Sequence, residues 1–68
     1  MFDERVKNAR IAAGLSQDDV AKAIGITQVA YSYIERDMRD PSLSIVVRLA
    51  KTLNVSLDYL VGNNPATN

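Results

Sequence analysis

The sequence predicts an all-α fold, a compact domain of five short helices. Three observations carry this. Apolar residues recur at helical spacing from one end to the other, with no strand-like alternation. Serine or threonine stands before four of these stretches, and glycine or asparagine stands after four. A chain of 68 residues, 47% of them apolar, has material for one small core. No internal repeat or low-complexity block interrupts it.

The first helix is "DERVKNARIAA". Phe2, Val6, Ala9 and Ala13 share its inner stripe, Asp3 and Glu4 suit the positive end of its dipole, and Gly14 stops it. The second is "SQDDVAKAI". Ser16 is its N-cap, Asp19 the reciprocal half of a capping box, and Val20, Ala21 and Ile24 its inner face; Gly25 ends it. Thr27 caps the third, from Gln28 to about Glu35. "RDMRDPS" then breaks the pattern: Pro41 disfavours helix at Asp40, and Ser42 caps the next segment. The fourth helix, "LSIVVRLAKTL", places Leu43, Val46, Val47, Ala50 and Leu53 on one side and ends at Asn54. Ser56 caps a last short helix, "LDYLV", with Leu57 and Leu60 inward and Gly62 closing it. Residues 1–62 are the expected domain; the polar "NNPATN", 63–68, reads as a tail or the start of a linker.

Composition narrows the chemistry. The chain has no cysteine and no histidine, so the usual thiolate and imidazole metal ligands and the commonest general base are missing. No glycine loop suited to phosphates is present, and Asp18 and Asp19 suit a helix start better than acid–base work. No catalytic residue, cofactor, metal site or small-molecule substrate is expected. No apolar run approaches a membrane span, and the opening residues lack a signal-peptide block, so a cytoplasmic protein is expected. Eight basic and eight acidic side chains sum to zero, which counts mildly against a polyanionic partner.

Two charges stand at core margins. Arg10 borders the stripe of the first helix, and Glu35 lies four residues after Tyr31 at the inner edge of the third. A lone charge there is costly, so the two are expected to pair; the alternative is that both reach water.

The third helix has an unusual outer side. At about 100° per residue, Tyr31 and Ile34 face one way with Ala30 at the edge. Gln28, Val29, Ser32 and Tyr33 face the other way, and none is charged. Between Gln17 and Ile34 the spacing has a mechanical logic. Ala21 is small where two helices cross, Gly25 supplies a left-handed turn, and Val20, Ile24, Ile26, Tyr31 and Ile34 fill the wedge. This is how a helix-turn-helix is built, with its second helix in the major groove of DNA.

From about Val6 to Gly62 the sequence resembles the phage repressor and Cro-like helix-turn-helix regulators. "GLSQDDVAKAIGITQ", "IERDMRDPS" and "LAKTLNVSLDYLVG" carry the resemblance. It implies a lambda-repressor-like DNA-binding domain, often with a buried ion pair at the positions of Arg10 and Glu35. It places base reading on Gln28, Val29, Ser32 and Tyr33, and phosphate contact on Gln17 and the loop through Arg36 and Arg39. The chemistry agrees. Gln28 can offer its amide to adenine, Val29 can pack on a thymine methyl, and Ser32 can serve almost any base. Tyr33 reaches a base or a phosphate; for each of these, plain solvent exposure is the alternative. The N–H groups at the helix starts near Gln17 and Ser42 suit anions without side-chain charge. "RDMRD" departs from the family, which commonly has glycine and a further lysine there, so Arg36 and Arg39 are phosphate contacts or ordinary solvated charges.

Ile11, Ile45, Tyr59 and Val61 fall outside the inner stripes. The resemblance implies dimerisation through the carboxyl end, and Ile45 and Tyr59 are the expected contact of a homodimer on a pseudo-palindromic double-stranded DNA operator. The leading expectation is a transcriptional regulator, specifically a repressor. The alternative is a protein-interaction module such as an antitoxin or regulatory partner, which the zero net charge favours.

Overall fold

Four of the five helices begin on hydroxyls, and all five are followed by left-handed residues. The structure, a computed structural model, describes residues 2–62; the expected tail, 63–68, lies outside the described residues. The five helices are α1 Phe2–Ala12, α2 Gln17–Ile24, α3 Gln28–Glu35, α4 Leu43–Leu53 and α5 Leu57–Val61. Ser16, Thr27, Ser42 and Ser56 each accept a hydrogen bond from the backbone N–H three residues on. At Ser16 the box is complete, because Asp19 accepts the Ser16 N–H in return at 2.9 Å.

Four helix ends share one device. After α1, Leu15 N–H reaches Arg10 O and Gly14 N–H reaches Ile11 O. The same pair of bonds recurs at Gly25 and Ile26, at Asp37 and Met38, and at Asn54 and Val55. In each, the N–H of a positive-φ residue and that of the apolar residue after it satisfy two orphan carbonyls. Leu15, Ile26 and Val55 turn back onto the core. Met38 stays exposed.

The helices wrap one core, with α2 packed on α3 and α4, and α1 on α3, α4 and α5. Tyr31 lies at its centre, fully buried among Val6, Val20, Ile24, Leu49 and Leu60. Three expectations about inner faces are corrected. Ala13 is exposed, because α1 ends at Ala12 and the reversal at Gly14 sends Leu15 inward instead. On α4 the buried set is Val46, Leu49, Ala50 and Leu53, at i, i+3, i+4 and i+7. Leu43 is 71% exposed, since side chains of a first turn lean toward the helix start and past the core edge. Val47 is half-buried at the margin of the same face, and Leu57 is exposed while Leu60 is buried. Among the described residues no helix is long and apolar enough to cross a membrane.

Candidate nucleic-acid interface

The turn between α2 and α3 fixes where α3 points. Gly25 adopts φ +82°, a left-handed conformation that a branched side chain resists. Arg48 reaches across from α4 and donates to the Ile24 carbonyl at 3.1 Å, holding the end of α2. Nothing in the sequence signalled this contact, which depends on how α4 crosses α2. With the turn set, Tyr31 and Ile34 are buried, Gln28 and Val29 are exposed, and Ala30, Ser32 and Tyr33 are half-buried. Val29 shows 58% of its surface. The uncharged side of α3 therefore looks outward.

Behind that side lies a polar network. Arg10 and Glu35 come together: Arg10 Nε lies 2.6 Å from Glu35 Oε2, and Arg10 Nη2 donates to Oε1 at 3.2 Å. Arg10 also donates to the Leu15 carbonyl at 2.9 Å, so one side chain ties α1, the first turn and α3. Tyr31 Oη donates to the same carboxylate, and Gln17 Nε2 donates to Oε1 at 3.0 Å. Burial alone pushes the Glu35 carboxyl pKa up. Hydrogen bonds from Arg10, Tyr31 and Gln17, with the Arg10 charge, outweigh it and hold the group below the ordinary glutamate range. Burial, then the Glu35 hydrogen bond, raises the Tyr31 phenol, and Glu35 raises Arg10 against the smaller opposing effect of burial.

A carboxyl whose folded pKa is depressed stabilises the fold fully above its unfolded value, about 4.3, and loses this as pH falls through the folded value. Melting temperature should hold level from neutrality to about pH 4.3 on account of Glu35, then decline. A circular-dichroism melting series in wild type and Glu35→Gln should show a shallower acid limb in the variant.

Gln17 links this network to the outer side. Its Oε1 accepts from Gln28 Nε2 at 2.6 Å. The carboxylate only accepts, so the Gln17 amide nitrogen must face Glu35 and its oxygen must face Gln28. That polarity leaves Gln28 with one N–H and its own oxygen unspent. Gln17 spends one of its two amide N–H groups on Glu35, so its other amide N–H and its backbone N–H remain for an anion contact at this position. Two helix starts were expected to suit anions. That of α2 carries Asp18 and Asp19, whereas the first turn of α4, after Ser42, has no acid. Ser42 is exposed, its Oγ 3.2 Å from that of Ser44.

The loop after α3 turns at Asp37, whose φ of 57° occupies the left-handed slot that glycine fills at three other helix ends. Arg36 and Arg39 are exposed, and both guanidinium groups lie over the Tyr33 ring, at 5.3 and 5.9 Å from its centroid. Asp37→Gly should raise stability by about 0.5–1 kcal/mol by relieving the left-handed backbone. Urea unfolding would check it through a higher midpoint at unchanged slope.

The expected dimer residues are less open than their place outside the stripes suggests. Ile45 and Tyr59 are half-buried and pack against the core. Arg5 donates to the Tyr59 carbonyl at 3.1 Å and lies over its ring at 5.1 Å. Away from α3 and the loop after it, the open apolar residues are instead Leu57 and Val61 on α5, with Leu43 on α4 and Ile11 on α1.

Comparison with known proteins settles what kind of domain this is. The helix-turn-helix family profile matches residues 6–60. The chain belongs to the helix-turn-helix family. The helix-turn-helix regulator ImmR of Bacillus subtilis is 39% identical over 61 residues, covering 90% of this chain and 48% of that protein. This helix-turn-helix domain spans about half the length of several curated relatives it matches. The P22 c2 repressor, solved with a synthetic operator, superimposes with a TM-score of 0.87 at 30% identity, over 94% of this chain and 97% of that one. The restriction-modification controller C.AhdI of Aeromonas hydrophila gives 0.82 at 32% identity, over 87% and 89%. The five-helix arrangement is thus that of phage-repressor DNA-binding domains.

Proposed function

We propose that this domain reads double-stranded operator DNA in the major groove with α3, acting in the cytoplasm as a transcriptional repressor and not as an enzyme. One observation carries the reading: the outward side of α3 is uncharged, and its Gln28 amide is held in one direction by Gln17 and the buried Glu35. Its unspent N–H and oxygen make a donor and an acceptor side by side, which match N7 and N6 of adenine. Val29 packs on a thymine methyl, and Ser32 accepts or donates to a neighbouring base. Arg36, Arg39, Gln17 and the start of α4 at Ser42 contact phosphates and set the register. Likeness to an operator-bound repressor supports the choice of partner.

A single helix covers few base pairs, so the operator is a pseudo-palindrome bound by a homodimer, with half-sites about 10 bp apart. The contact forms at the carboxyl end, where the open parts of Ile45 and Tyr59 are joined by Leu57 and Val61. Those same apolar residues favour the second reading, a module that docks on another protein. The readings differ in salt response. Titration against duplex DNA at 50–200 mM salt should show log K falling linearly with log salt, by about 0.9 per phosphate contacted. No measurable duplex binding at the low end of that range would leave only the second reading.

A further inference from the structure

The residues after α3 set two arginines among acids, in "RDMRD". A loose arginine in such a loop has every reason to fold onto its neighbouring carboxylate. Neither does. Among the described residues, Arg36 and Arg39 form no ion pair with Asp37 or Asp40; each lies over the same aromatic ring, that of Tyr33. The backbone explains how both can reach it. Tyr33 precedes Arg36 by nearly one helical turn, and the left-handed step at Asp37 brings the chain back, with Met38 N–H bonded to the Tyr33 carbonyl at 2.9 Å. Arg39 follows directly from that closed turn.

We propose that Tyr33 is a platform that presents Arg36 and Arg39 to the phosphate backbone beside the helix, and that it reads no base. This deepens the reading of the domain as a DNA binder and rests on it. Two like charges gathered at one ring repel each other, and the ring's negative face offsets this only in part. A polyanion removes the repulsion; an uncharged protein surface does not. The arrangement also answers the difficulty of zero net charge. Arginine rotamers lose substantial entropy when a contact orders them, and side chains stacked beforehand lose less on binding. The domain thus gathers local positive charge, with the guanidinium N–H edges left for phosphate oxygens. The half-buried Tyr33 ring is committed to this stack, whereas Gln28 and Val29 are open toward a duplex.

The test uses the whole chain, a duplex selected by the wild type, and a random-sequence duplex of equal length. Tyr33→Leu removes the ring and should weaken binding to both duplexes by the same factor, roughly tenfold. Tyr33→Phe keeps a ring and should recover most of that loss. Arg36→Gln with Arg39→Gln should lower the salt slope by about 1.8 in the wild type. The same pair should cost less affinity in the Tyr33→Leu background, because the platform is already gone. Independently of binding and of whether the leucine variant folds, the Arg36 and Arg39 side-chain protons of the free wild type should show upfield ring-current NMR shifts. Random-coil shifts there would overturn the proposal. So would a Tyr33→Phe variant that changes preference at one base pair, or a Tyr33→Leu loss confined to the selected duplex. A wild type that binds duplexes without any preference would sink base reading by α3, yet the random-duplex arm would still decide the platform.

Discussion

Glu35→Ala should lower the melting temperature by at least about 12 °C or leave no folded domain. Only 3% of the Glu35 side chain and 14% of the Arg10 side chain are exposed. Removing one partner of a buried pair costs about 3–5 kcal/mol, since the other charge is left uncompensated. Here the loss spreads, because Tyr31 Oη and the Gln17 amide also donate to that carboxylate. A domain of 68 residues has roughly 3–10 kcal/mol to lose in all, and for such sizes each 1 kcal/mol shifts the midpoint by about 4–8 °C. Replacing both charges, with Arg10→Met and Glu35→Leu, should recover part of the loss, as buried pairs stabilise little relative to apolar residues of similar volume, while the Tyr31 hydroxyl still lacks its acceptor. Thermal melts of the single and the double variant check this. A single variant melting within a few degrees of the wild type would mean that water reaches the pair.

Gln28→Ala should cost about 1–3 kcal/mol on the selected operator and almost nothing on random duplex, because a bidentate base contact carries discrimination while phosphate contacts do not. The substitution is at an exposed position, so folding should be unaffected. Gln17→Ala should lose part of the same discrimination: Gln28 keeps its amide but loses the acceptor that orients it. Paired titrations on both duplexes separate the effects. Equal losses on both would place Gln28 on the backbone.

Much of this architecture is legible in the residues because its signals are local. A cap needs a hydroxyl and a free N–H three residues on, so Ser16, Thr27, Ser42 and Ser56 could be placed by reading along the chain. The inward sides of α2 and α3 followed from periodicity, as did the expectation that Arg10 and Glu35 meet. Errors arose where the rule needed the third dimension. Leu43 obeys the helical period, but α4 begins where the core has already ended; Leu49, three residues after Val46 and four before Leu53, is fully buried although it was left out of the expected inner face. Ile45 and Tyr59 lie off the inner stripes, yet neighbouring helices cover part of each. The Arg48 bond to Ile24, the amide chain from Glu35 to Gln28 and the Tyr33 stack depend on helix crossings and on one left-handed aspartate. No spacing rule encodes those. The unusual "RDMRD" was visible as a departure from the family, but only the backbone at Asp37 shows what it accommodates.

The central claim is that the uncharged side of α3 reads bases through Gln28. Selection of bound duplexes from a random pool, run in parallel with wild type and Gln28→Ala, tests it most directly. The wild type should enrich an inverted repeat with half-sites about 10 bp apart, with adenine at one position of each half-site, and the variant should lose that adenine while keeping the spacing. Enrichment of the same adenine by both proteins, or of no sequence by either, would contradict it.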